Sequence, residues 1–185
     1  MKLYLKVLLG LILSLNLIAD DLTEGIKAYK NADYKQAHQY FIKASQNGDY
    51  NKAKKLWQED CKKGNAEYCF NIGYMYGQGY SVERNSKKAF EFYLKACTSG
   101  YSEGCSSLGW EYQINAEDIK AIELYLKACE NGNDRGCSLL GAMYENGYGV
   151  EKNYDKALIL YKKDNRKIGQ INYEELVKKI ASKMK

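Results

Sequence analysis

No proline occurs in the 185 residues, there is one histidine, and neither sign of charge dominates. Each shortage excludes something. A β-rich or loop-rich chain of this length would place prolines in its turns, so their absence points to helices. A single histidine, His38, is too few for a metallo-β-lactamase or a histidine-rich zinc centre; it reads as a partly exposed helix residue. The formal charge of +5 is small and dispersed, without the concentrated basic stripe that nucleic-acid binding needs. The glycines of "GQG" and "GYG" are followed by no G-K-[ST], so they read as turns rather than a phosphate cradle. S-D-N and K-T-G, two elements of serine β-lactamases, are missing. The one S-x-x-K, Ser182 to Lys185, lies in the last four residues, an exposed position that cannot hold an acyl group away from water.

Long apolar runs are also scarce. "MKLYLK", then "VLLGLILSLNLI" and Ala19, have the layout of a secretory signal peptide, expected over 1–19 with cleavage after Ala19. About twelve apolar residues are too few to span a bilayer comfortably. No cysteine follows them, so a lipoprotein anchor is not indicated. With no second run, the mature chain is expected to lack a membrane span and to be secreted or periplasmic. A hydrophobic content of 45% argues against disorder.

What is present is periodic. Residues 66–101, 102–133 and 134–169 align as three units, the middle one four residues shorter where its neighbours carry "GQGYSVERN" and "ENGYGVEKN". Each unit reads as two helices. Cys69, Ile72, Gly73 and Tyr76 fall at i, i+3, i+4 and i+7, as do Cys105, Leu108, Gly109, Tyr112 and Cys137, Leu140, Gly141, Tyr144. A mid-helix glycine costs about 1 kcal/mol against alanine, and its return at one register suggests close helix approach. The second helices present Ala89, Phe92, Tyr93, Ala96 and Cys97, then Ala121, Leu124, Tyr125, Ala128 and Cys129. Gly100 and Gly132 suit left-handed helix ends, with Ser102 and Asp134 as N-caps of the helices that follow. Upstream, "EGIKAYKNADYKQAHQYFIKASQNGD" has the same grammar, and 50–63 reads as an irregular extra helix. "INYEELVKKIASKMK" closes the array.

All six cysteines stand in pairs eight residues apart: Cys61 and Cys69, Cys97 and Cys105, Cys129 and Cys137. Each pair flanks a capping glycine, one cysteine near the end of a helix and one in the first turns of the next. Antiparallel helices put both about one turn from the bend, within the roughly 4.4–6.8 Å Cα separation that a disulfide needs. Six cysteines allow 15 pairings; the bend selects the three local ones. Zinc is the competing reading, but zinc sites favour tight C-x2–4-C knuckles, and no metal or cofactor is expected.

The pattern "A-x-x-x-L-G-x-x-Y-x-x-G-x-G-V-x-x-N-x-x-K-A-x-x-x-Y-x-K-A" is similar to the Sel-one-like repeat, a relative of the tetratricopeptide repeat. With C-x7-C at each junction, the chain resembles the secreted Helicobacter cysteine-rich protein family, well over 61–164 and more loosely over 22–60. The resemblance implies an exported all-α chain, an α/α superhelical solenoid of helix-turn-helix repeats stapled by C-x7-C disulfides. The expected organisation is a signal peptide (1–19), tetratricopeptide-like helices (20–65), the three repeats (66–169) and a capping helix (170–185). Members are often labelled penicillin-binding proteins or β-lactamases, and are also regarded as host-interaction or scaffold modules.

Between those functions the residues favour a binding module. A stripe beside the core positions holds Asn71, Tyr74, Met75 and Gln78, then Ser107, Trp110 and Glu111, then Leu139, Ala142 and Met143. On the concave face of a solenoid, Asn71, Tyr74, Ser107, Trp110 and Glu111 would offer amide, hydroxyl and aromatic groups to a protein or extended peptide. The alternative is that several, Met75 and Met143 above all, belong to the core; the pattern leaves both open. Weak β-lactamase activity, with a β-lactam or peptidoglycan fragment as ligand, is the other function the resemblance implies, with no catalytic residue to nominate. A monomer is expected.

Overall fold

The computed structural model describes residues 21, 23–28, 31, 36, 39–40, 43–44, 57–80 and 82–183. The expected signal peptide, His38, the first half of the irregular segment (50–56) and Lys185 lie outside them. Among the described residues there is no strand. Seven helices form the array: α1 (Ala66–Gln78), α2 (Ser86–Thr98), α3 (Ser102–Ile114), α4 (Asp118–Glu130), α5 (Asp134–Asn146), α6 (Tyr154–Lys163) and α7 (Lys167–Lys183). Residues 57–62 are also helical and lead into α1 through Gly64.

Two kinds of close contact build the array. Within each hairpin the repeated glycine of the first helix faces the tyrosine of the second. A methyl group on Gly73, Gly109 or Gly141 would sit 2.8, 2.7 or 2.8 Å from the ring of Tyr93, Tyr125 or Tyr161. The same hairpins are clasped at their loop end by a lysine over a ring: Lys88 over Tyr76, Lys120 over Tyr112, Lys156 over Tyr144, at 4.9, 5.0 and 5.0 Å. Between hairpins, Gly104 and Gly136 close on Ala96 and Ala128, where a methyl group would come within 2.6 and 2.7 Å of the alanine Cβ. First helices also touch one another, α1 with α3, α3 with α5 and α5 with α7. Contacts thus run between neighbouring units, as in a solenoid.

The junctions hold the disulfides Cys61–Cys69, Cys97–Cys105 and Cys129–Cys137, with Cα separations of 4.8, 4.5 and 4.5 Å. Gly100 and Gly132 turn these bends with φ of +90° and +78°. The N-caps fall one residue earlier than expected. Tyr101 and Asn133 occupy them, and Ser102 and Asp134 are already helical. The Asn133 side chain accepts from Gly136 N at 2.7 Å, which the shorter reach of Asp134 from inside the helix does not replace. Tyr101 makes no such bond and instead packs its ring on Phe70 at 5.5 Å.

The closing helix starts at Lys167, ahead of the expected 170. Here the junction changes character. Asp164 stands where the other units have Ala96 and Ala128, and it is buried. Its carboxylate accepts from Arg166 Nε at 2.8 Å and Nη2 at 2.7 Å and from the Ser138 hydroxyl. An ionic clasp thus takes the place of a disulfide. In the shortened middle unit, α3 and α4 are joined by residues 115–117 alone, with Ala116 at φ +58°.

Candidate functional site

Ser107, Trp110, Glu111 and Ile114 recur at i, i+3, i+4 and i+7 on α3 and line one wall of a cleft of about 240 Å³. Gln78 at the end of α1, Arg84 in the following loop and Arg135 in the first turn of α5 also line it. The floor is the Tyr93 side chain, reached because position 77 is glycine. In the other hairpins that position carries Gln113 or Glu145, which accept the hydroxyl of Tyr125 or Tyr161 at 2.8 Å each. Burial pushes those two hydroxyls upward in pKa, and Glu145 adds to the effect on Tyr161. Glu111 is half-buried in the cleft. Loss of hydration raises its carboxyl above the ordinary range, and the Arg84 charge partly opposes this.

The five residues expected on the binding face are not equivalent. Ser107, Trp110 and Glu111 meet in this cleft, and Trp110 is 44% exposed. Asn71 lines a second cavity of about 490 Å³ with Ile26, Trp57 and Tyr68. It is 5% exposed, and its Oδ1 has no hydrogen-bond partner among the described residues. Tyr74 departs from expectation. It is 7% exposed and packs in the core against Phe70 and Tyr80, with ring centroids 6.2 and 6.0 Å away. Met75 and Met143 are core residues as well.

The contrast between Tyr74 and Trp110, which share a register, has a local cause. In the middle unit the place of Phe70 is taken by Ser106, and the loop residue Tyr80 falls in the deleted stretch. Trp110 therefore lacks both aromatic covers. Ile114 followed from the same helical spacing but was missed, as were Arg84 and Arg135, which come from a loop and from the next unit. Among the described residues, no group of three or more His, Cys, Asp or Glu is placed to hold a metal ion. Nor is any helix there long and apolar enough to cross a membrane.

Stacked antiparallel hairpins with cysteine-stapled junctions and a cleft on the first-helix face define a helical-repeat solenoid. A Sel1 repeat model matches residues 24–49, 66–101, 102–133 and 135–163, more than half of the chain. The chain belongs to the Sel1 repeat family. It is 39% identical over 64 residues to HcpC of Helicobacter pylori, whose name places it provisionally among the beta-lactamases; that stretch is 35% of this chain and 17% of HcpC. Helicobacter pylori cysteine rich protein B superposes with a TM-score of 0.52 at 26% identity, covering 65% of this chain and 92% of that one. A Sel1 repeat protein from Oxalobacter formigenes gives 0.56 at 21% identity, over 64% of this chain and 95% of that one. The uropathogenic Escherichia coli protective antigen c5321, with an SLR fold, gives 0.59 at 21% identity, over 90% of this chain and 42% of that one. The last two likenesses concern the fold alone.

Proposed function

We propose that this protein is an exported binding module that takes up protein or extended peptide segments along its first-helix face. The observation that carries the reading is the cleft lined by Ser107, Trp110 and Glu111, one helical stripe, in which Ser107 is buried, Glu111 half-buried and Trp110 44% exposed. A large exposed ring beside hydroxyl and carboxylate groups is the composition of a binding surface rather than a solvated one. Asn71 supports it. A buried amide oxygen without a partner among the described residues is costly unless a ligand donates to it. Export is supported by the disulfides, which persist in oxidising compartments, and by the expected leader over 1–19. The periplasm and the exterior fit equally.

The test is capture of displayed peptides by the purified chain. Trp110→Ala should abolish enrichment of any selected sequence and lower the thermal transition by only a few degrees, because the ring is 44% exposed. Enrichment that survives the substitution would place binding elsewhere. A hydrolase reading rests on the name of HcpC. In this chain Ser182 donates its hydroxyl to the Lys179 carbonyl on an exposed part of α7, which offers no activated nucleophile. Multiple-turnover hydrolysis of a chromogenic cephalosporin by homogeneous protein would reverse that judgement.

A further inference from the structure

The shortened middle repeat leaves room for a loop that it does not have. In the third repeat that loop, residues 147–153, lies across the second helix of the unit before it. A methyl group on Gly149 would meet Asp118 Cβ at 2.7 Å and the Ile122 side chain at 3.2 Å. The matching residues of the first repeat are Ser86 and Phe90, and Ser86 lines the Trp110 cleft. The cleft is therefore where the missing residues would lie. The first repeat shows what they would bring. Its loop residue Tyr80 packs on Tyr74, ring centroids 6.0 Å apart, and Tyr74 shares its register with Trp110. Trp110 is thus a face ring without its loop ring. The third repeat has the converse. Tyr148 holds the place of Tyr80, but Ala142 stands where Tyr74 would be. Tyr148 is left 50% exposed between Gly147 and Gly149, both left-handed at φ +76° and +66°. Neither Trp110 nor Tyr148 stacks on another ring among the described residues.

We infer that this vacancy receives the 147–153 loop of a second copy of the chain, with Tyr148 against Trp110 as Tyr80 lies against Tyr74, and Glu151 toward Arg84. The intact first repeat selects the ring. Charge complementarity selects its surroundings. Arg84 lines the cleft, Glu151 follows Tyr148 by three residues, and both are exposed. Neither makes a close ion pair among the described residues. Ile114, 63% exposed on the cleft wall, gains apolar cover from the same loop. One short loop in a notch falls below the roughly 1,200 Å² of a standard interface, so the contact belongs to the weak, transient class. Each copy carries one loop and one vacancy, so the contact either closes as a two-fold pair or runs on head to tail. This departs from the monomer expected from the sequence. The same cleft serves the peptide-binding reading, but the contact does not depend on it, because a chain that takes up no peptide keeps both halves.

The experiment uses the oxidised chain as exported and two variants of it. Tyr148→Ser keeps the vacancy and loses the ring that fills it; Trp110→Ala keeps the loop and loses the wall it rests on. The parent chain should self-associate in sedimentation equilibrium at concentrations up to about 1 mM. Each variant alone should associate roughly tenfold or more weakly. Mixed, the two should pair, because one intact loop and one intact vacancy remain between them. The pairing is read as a saturable change when fluorescently labelled Tyr148→Ser is titrated with Trp110→Ala. Adding Glu151→Lys to the second component should weaken it several-fold, and adding Arg84→Glu to the first should then recover it. Circular-dichroism melts within a few degrees of the parent confirm that the variants are folded. A parent chain that stays monomeric over that range, variants that associate as the parent does, a mixture no stronger than its components, or a charge exchange without recovery would each overturn the docking. Association that needs Trp110 and survives Tyr148→Ser would assign the vacancy to another segment, and overturn it as well. Peptide capture at micromolar chain, where the copies are apart, tests the proposed groove separately.

Discussion

Ala116 is the one described residue other than glycine with a positive φ, +58°. A Cβ in the left-handed region costs about 1–2 kcal/mol, which exceeds the extra chain entropy a glycine would bring, about 0.5–1 kcal/mol. Ala116→Gly should therefore stabilise the chain by about 0.5–1 kcal/mol, read as a rise in the denaturation midpoint at constant slope. Glycine and alanine exchange signs a few residues away. On an open helix, Gly109→Ala would gain about 1 kcal/mol. Here the new methyl meets the Tyr125 ring at 2.7 Å and the Ala121 carbonyl oxygen at 3.3 Å, so overpacking at about 1–3 kcal/mol prevails. Chemical denaturation of this variant should show a loss, and a gain would mean the hairpin is looser than the geometry states. The need for glycine at 73, 109 and 141 was legible in the sequence because it recurs. The strain at Ala116 was not, because it arises once, from the length of a turn.

At the scale of elements, two kinds of junction hold the helices in register. A disulfide closing an eight-residue separation contributes about 2.5 kcal/mol in the chain-entropy model. Cys97→Ala with Cys105→Ala should lower stability by about that amount and preserve the helical spectrum. The α6–α7 junction depends instead on Asp164 and Arg166, whose side chains are 0% and 10% exposed. Removing one partner of a buried pair costs about 3–5 kcal/mol. Asp164→Ala should free α7, seen as faster amide exchange over 167–183 while α1 to α5 keep their protection. A second clasp on α7 gives it an acid limit. Glu145 accepts from Lys179 at 2.6 Å and from Tyr161 at 2.8 Å. Burial raises its carboxyl, but the two hydrogen bonds and the Lys179 charge together hold the net value below the ordinary range. A depressed folded-state pKa contributes stability above the unfolded value of about 4.3 and loses it as pH falls through the folded one. Exchange from α7 should therefore accelerate below about pH 4, and Glu145→Gln should flatten that dependence. The cysteine staples could be read from the sequence because their offset repeats three times. The ionic clasp could not. "KKDNRK" looks like a polar turn until its register shows that Asp164 occupies the buried alanine site of the other units. Trp110 was legible as a face position, and its exposure became readable only once Tyr80 was seen to have no counterpart.

At the scale of the whole molecule, contacts among the described helices run only between neighbouring units, and this decides how the array should unfold. The described buried residues form three clusters strung along the array, the first centred on Phe70, Tyr93 and Leu108, the next on Tyr125 and Met143, the last on Tyr161 and Leu176. Tyr112 and Tyr144 pack at the boundaries between successive clusters, so cooperativity passes through half-buried tyrosines and the junctions. In a one-dimensional array the coupling between neighbours sets whether units melt together. The disulfides reinforce that coupling at three junctions, Cys129–Cys137 lying between the second and third repeats. The oxidised chain should show three bridges and no free thiol by mass spectrometry, and a single thermal transition by calorimetry. After reduction and alkylation, the transition should move down and broaden, with exchange protection lost first from the third repeat and α7 and last from the first two. Reduction that merely shifts a still-sharp transition would show that packing across Tyr112 and Tyr144 suffices for cooperativity. The staples would then set stability and not the unity of the fold, and the need for an oxidising compartment would rest on stability alone.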